Sequence, residues 1–248
     1  MRRDWVRAPL LLLGLVGVLW FYATLPSIWL AAPVRDVTAQ ILSDDRFKSG
    51  TLSKLVAQIA VRPSLMVEPS DFVRGEALIL LRTSEEMIGR KSPEDADRKV
   101  EAATDKVKYS LSVNPTDAFL WLMLYSTAIS RDGLDFRNIK YLDQSYVIAP
   151  FEGWIVLRRN RVGLALFQSL SEATQQNVLT EFGAMINSGF IDDAAMNLEG
   201  VGWAERDRLL TTLERANEIP REAFARRLAR DGVKAIVPGV EIDQRSWR

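Results

Sequence analysis

Apolar positions along the chain form one long block and then short periodic groups. Arg2, Arg3, Asp4 and Arg7 crowd the start, and the next charge is Arg35, so residues 8–34 make 27 consecutive uncharged positions dominated by Leu, Val, Ala, Trp and Phe. As a helix rising about 1.5 Å per residue, this run reaches roughly 40 Å, against a bilayer hydrocarbon core of about 30 Å. The pattern predicts a transmembrane helix with some tilt or an interfacial turn. Pro26 is the expected turn, because proline removes a backbone donor and crowds the preceding carbonyl, which leaves 10–25 as the regular span. Leu10, Leu13, Leu15, Val18, Trp20 and Phe21 are the expected anchor residues, with Trp5 and Trp29 near the two interfaces.

Orientation follows from the flanks. Three arginines precede the run, whereas only Arg35 follows it before Asp36, Asp44 and Asp45. The positive-inside rule then puts the N-terminus in the cytoplasm and everything after residue 34 in the periplasm or outside, on a single-pass inner-membrane protein. The competing reading is a cleaved signal peptide ending at Ala31-Ala32. Against it stand an apolar region longer than about 15 residues, the bulky Trp20, Phe21, Tyr22, Trp29 and Leu30 near the exit, and Pro33 beyond the cut.

Beyond the block, helical spacing dominates. Val34, Val37, Ile41 and Leu42, and then Leu52, Leu55, Val56 and Ile59, predict two short helices on either side of Ser49-Gly50. Arg62-Pro63 and Glu68-Pro69 bracket a break. Ser70-Asp71 starts a helix running to about Arg90, and Ser92 with Pro93 starts another that ends near Val113. Ser171 is the expected cap of a helix to Asn187, stopped by Gly189. Further elements follow at 191–198, 203–217 and 221–231, with Gly232 as a stop. The one β-rich stretch, 233–240, is interrupted by Pro238-Gly239 and is too short to imply a sheet.

A repeat lies in the middle. Residues 110–122 align without a gap on 145–157, an offset of 35: Pro115 on Pro150, Asp117 on Glu152, Ala118 on Gly153, Phe119 on Trp154, Leu122 on Leu157. An earlier copy begins at Pro69, Ser70, Asp71 and Phe72. Proline ends one helix, the acidic residue favours the next helix start, and the aromatic fills the space between paired helices. This pattern resembles tetratricopeptide helix pairs. Met123 and Asp135 depart from it, standing where that family prefers small residues. The resemblance covers 71–170 and implies an all-α fold: an N-terminal transmembrane helix followed by a tetratricopeptide-like stack of antiparallel helix pairs. The expected organisation is a cytoplasmic stub and anchor at 1–34, a helical connector at 35–70, repeats at 71–170, a C-terminal helical cap at 171–232 and a tail at 233–248.

Composition then narrows the chemistry. The chain has no cysteine and no histidine, which excludes disulfides, thiolate nucleophiles, Ser-His-Asp triads and most zinc or haem sites. No glycine-rich phosphate loop or metal-ligand spacing is present, and Gly14 and Gly17 stand within the apolar run, three apart. No metal, cofactor or catalytic residue is therefore assigned. Past residue 34 there are 29 basic and 31 acidic side chains, so no global field draws that part to nucleic acid.

The candidate partner-binding residues are Arg158, Arg159 and Arg161, whose guanidinium groups suit an acidic protein loop or an anionic glycan, together with Trp121 and Tyr125. The competing reading has the arginines on a solvated edge, with Arg158 paired to an acidic residue of a neighbouring helix. Tyr141, Tyr146 and Trp154 complete an aromatic set read chiefly as core. Arg221, Arg226, Arg227 and Arg230 recur around most of a helix. Glu85, Glu86, Glu94, Asp95 and Asp97 are read as compensated surface charge.

A tethered helical-repeat domain without a catalytic motif implies an adaptor or scaffold for a protein partner at the bilayer. Its layout resembles accessory proteins of bacterial envelope and exopolysaccharide assembly or export. Two alternatives stay open: an envelope enzyme using Asp117 and Glu152 on a glycan or lipid-linked substrate, and a structural subunit of a membrane complex.

Overall fold

A computed structural model describes residues 4–42, 47–48, 50–61, 69–87, 93–133, 135–149 and 152–241, with side chains at 10–21 and 34–41 within the first helix. The fold is all-α, and no strand occurs among the described residues. Two compact units divide the chain at Pro115 and Thr116, a boundary that falls inside the 71–170 stretch of the expected repeats.

The first unit begins with one long helix, α1 (Asp4–Leu42). Helical backbone continues through position 26, so the expected turn at Pro26 is corrected. An interior proline removes one hydrogen bond and crowds one carbonyl, but no glycine or cap follows it to terminate the helix. The expected short helix around Val34 and Ile41 is likewise the end of α1. Among the described residues no helix is long and apolar enough to cross a membrane. The described side chains of the apolar block cover only 10–21, about 18 Å of helix. Within that stretch Leu11 and Leu13 are each 75% exposed and Trp20 is 72% exposed. The side chains of Trp5 and Trp29 lie outside the described residues.

The end of α1 packs on α3 (Ser70–Met87), which also carries α2 (Thr51–Ala60) and forms a hairpin with α4 (Pro93–Val113). Val34, Ile41, Leu52, Phe72, Val73, Leu78, Ile79, Ala103 and Val107 build this core. Gly75 sets the approach of α1. A β-carbon there would stand 2.3 Å from Val34 Cγ1 and 2.7 Å from Thr38 Oγ1, so only glycine lets the helices touch. Lys106 on α4 pairs with Glu76 on α3 at 2.6 Å.

The second unit continues with two further hairpins: α5 (Ala118–Asp132) with α6 (Ile139–Ile148), and α7 (Gly153–Ala165) with α8 (Glu172–Asn187). Helix α5 also touches α7, and α6 touches α8. Asp117 caps α5, its Oδ1 accepting from the backbone N–H groups of Phe119 and Leu120 at 3.1 Å each. Ser171 caps α8 by accepting from Thr174 N–H at 3.2 Å. Gly189 ends that helix at φ 84°, a left-handed conformation that a side chain would strain.

Helix α9 (Ile191–Glu199), a 3-10 turn at Trp203–Glu205, α10 (Arg206–Thr212), a second such turn at Leu213–Arg215 and α11 (Glu218–Arg230) close the unit around α8. Phe182 and Phe224 meet edge to face at its centre, their ring centroids 5.9 Å apart. The β-rich stretch forms no strand: Val237 is buried in an irregular segment after Gly232.

Candidate functional site

The three candidate arginines of α7 go to different environments. Arg161 is exposed and Arg158 half-buried, but Arg159 is wholly buried, at 0% exposure. Its guanidinium uses every N–H. Nε donates to Glu181 Oε1 at 3.0 Å, one Nη donates to the Ser145 carbonyl at 2.7 Å and to Ser145 Oγ at 3.3 Å, and the other donates to the Ala149 carbonyl at 2.8 Å and to Glu181 Oε1 at 2.5 Å. A guanidinium so saturated has no donor for an incoming anion. Arg159 is thus removed from the partner-binding set.

Around it a polar network ties four helices together. Tyr146 on α6 donates to Glu181 Oε2 at 2.9 Å, and its ring lies 4.2 Å from the Arg159 guanidinium carbon. Asn160 donates to the Val178 carbonyl at 2.9 Å, while Asn197 on α9 donates to Asn160 Oδ1 at 3.1 Å. Burial raises the Glu181 carboxyl above its ordinary range, and the Arg159 charge and hydrogen bonds oppose that rise. The Tyr146 hydroxyl is pushed well up, first by burial and then by the Glu181 charge. Gly163 admits the network: a β-carbon there would stand 2.7 Å from both Tyr146 Oη and Val178 Cγ2.

The other candidates divide similarly. Trp121 is half-buried and stacks on Tyr141, with centroids 6.0 Å apart and planes at 24°. Tyr125 is buried, with no hydrogen-bond partner for its hydroxyl among the described residues, and burial pushes its pKa up to about 12. It belongs to the packed interior and offers a partner no exposed edge. Trp154 is exposed along one side while tilting against Phe119 at 4.8 Å, so the two matching aromatics of the repeat touch each other.

Asp117 and Glu152 each sit at their own helix start, α5 and α7 respectively. Asp117 spends its Oδ1 on the cap. On α11, Arg226 pairs with Glu222 at 3.2 Å, Arg227 pairs with Asp192 at 2.7 Å and also with Asp231, and Arg221 donates to the Leu213 carbonyl at 3.3 Å. Glu85 pairs with Arg82 at 3.1 Å and Asp95 with Arg98 at 2.6 Å. Glu86 falls where side chains are not described, and Pro150 lies outside the described residues. Among the described residues no group of acidic side chains is placed to hold a metal.

Among the described residues are two concavities with polar linings. The larger, about 540 Å3, lies in the second unit between α8 and α10 and is rimmed by Gln176, Thr180, Asn187, Arg208 and Arg215. The second, about 310 Å3, lies at the junction of α1 and α3 and is lined by Arg35, Thr38, Ala39, Asp71 and Arg74. Neither contains a triad or a pair of converging carboxylates. No family model matches the chain, and no curated protein or solved structure matches it either.

Proposed function

We propose that the protein is a membrane-anchored adaptor: α1 inserts as a single-pass anchor with its N-terminus in the cytoplasm, and the helix pairs form an extracytoplasmic platform for a protein partner. The observation that carries this reading is the apolar surface of α1. Large side chains from Leu10 to Phe21 stand more than half exposed within a run of 27 uncharged residues. A contiguous apolar face of that kind is costly in water and matches acyl chains. Arg2, Arg3 and Arg7 before the run set the direction.

Three consecutive helix hairpins, α3 with α4, α5 with α6 and α7 with α8, support the tetratricopeptide-like reading, as does the Phe119 and Trp154 contact at matching repeat positions. The exposed Arg161 and Trp154 then stand on the surface offered to a partner. Assembly or export of envelope polysaccharide is the setting that the layout suggests. The test is alkaline extraction of membranes containing the full chain. Retention in the pellet is the expected result, and release of the intact chain into the supernatant would overturn the anchor.

A further inference from the structure

We infer that the groove between α8 and α10 receives α4 of a second copy of this chain, so that the protein self-associates through complementary charge. The contact is independent of the anchor. The groove of about 540 Å3 belongs wholly to the second unit. Arg208 and Arg215 line it, while Gly183, Ala184 and Ala216 keep the side chains along it small. Both arginines are exposed. Arg208 is steadied without being saturated: its guanidinium carbon lies 4.7 Å from the Phe167 ring centre, and the Glu205 carboxylate is 3.6 Å away, beyond hydrogen-bond reach. Arg215 has no ion pair or hydrogen bond among the described residues. Glu214 is the one carboxylate in the lining, so the groove keeps a net positive charge.

The surface that matches it lies on α4, within the first unit. Glu94, Asp97 and Glu101 follow one another at steps of three and four residues, which puts them on one helix face. All three are exposed, and none has an ion pair or hydrogen bond among the described residues. Neighbouring acids differ, since Asp95 pairs with Arg98 at 2.6 Å and Asp105 with Lys108 at 3.5 Å. Spacing matches as well as sign. Glu94 and Glu101 are seven residues apart, as are Arg208 and Arg215, and seven helical residues span roughly 10 Å. Two carboxylates on one helix can therefore each meet a guanidinium fork on the other. Ala102, exposed beside Glu101, puts little bulk between α4 and the small residues of the groove.

The test is analytical ultracentrifugation of the full chain in density-matched detergent at tens of micromolar. Association to a dimer or larger assembly is expected, weakening as salt rises. Arg215→Glu, at a side chain with no internal partner, weakens it about threefold. Arg208→Glu with Arg215→Glu weakens it at least about tenfold, because like charges then face each other. Glu94→Arg with Glu101→Arg does the same from the other side. Mixing the two double variants restores association: the basic α4 of one faces the acidic groove of the other, and the acidic α4 faces the intact basic groove. A misfolded chain would not recover in this way. A native chain that stays monomeric, association indifferent to Arg215→Glu, or double variants that fail to pair on mixing would overturn the contact. The anchor is judged separately, by alkaline extraction.

Discussion

Arg159 carries a heavy electrostatic burden, because a wholly buried guanidinium must find all its partners within the protein. It finds them on α6, just past the end of α6 and on α8, through Ser145, Ala149 and Glu181 respectively. Removing only one side of such a pair leaves a buried charge uncompensated. Arg159→Met is expected to destabilise the chain by about 3–5 kcal/mol, measured by urea denaturation of the full chain in detergent. Removing both charges, with Glu181→Leu added, is expected to recover about 1–3 kcal/mol relative to the sum of the single losses. Strict additivity of the two losses would show that the pair is not coupled. The spacing of 158, 159 and 161 looks like one basic cluster along the chain. On a helix, 158 and 161 share a face and 159 does not. The better signal was at Glu181, an acidic residue among Val178, Phe182 and Met185, all core. A charge on an apolar stripe calls for a buried partner.

Caps and stops were the most legible features at the scale of elements, because their chemistry is local. Asp117 and Ser171 occupy the expected caps, and Gly189 and Gly232 take positive φ at the expected ends. Pro26 misled for the same reason: its local effect is real, but the helix around it continues from Asp4 to Leu42. The approach of α1 to α3 was not legible, since nothing local distinguishes Gly75 from a weak helix residue. Its role appears only when Val34 and Thr38 are placed against it. Gly75→Ala is thus expected to cost about 1–3 kcal/mol through overpacking, despite the better helix propensity of alanine. A thermal midpoint that stays or rises would mean that α1 leans on α3 loosely enough to yield. Gly14→Ala, where a β-carbon meets nothing within 4 Å, is the control.

For the whole molecule, the all-α class followed from periodicity, but the division at Pro115 and Thr116 did not. The repeat of 35 residues records how helices start, and that chemistry is the same in either unit. Compactness depends on which helix faces meet. On the anchor proposed above, direction across the membrane depends on neither and follows from charge at the two ends of the apolar run. Arg2, Arg3 and Arg7 lie on one side, and Arg35, beside Asp36, is the first charge on the other. Because basic residues near the ends of a span set its orientation and acidic ones count for little, replacing the three leading arginines by glutamine removes the bias. Adding Asp36→Lys then gives the opposite flank two cations. The native chain is expected to have its C-terminal units digested by protease added to spheroplasts, and the four-fold variant to have them protected in most molecules. Identical digestion of both would mean that the folded units, rather than the flanking arginines, dictate which side they occupy.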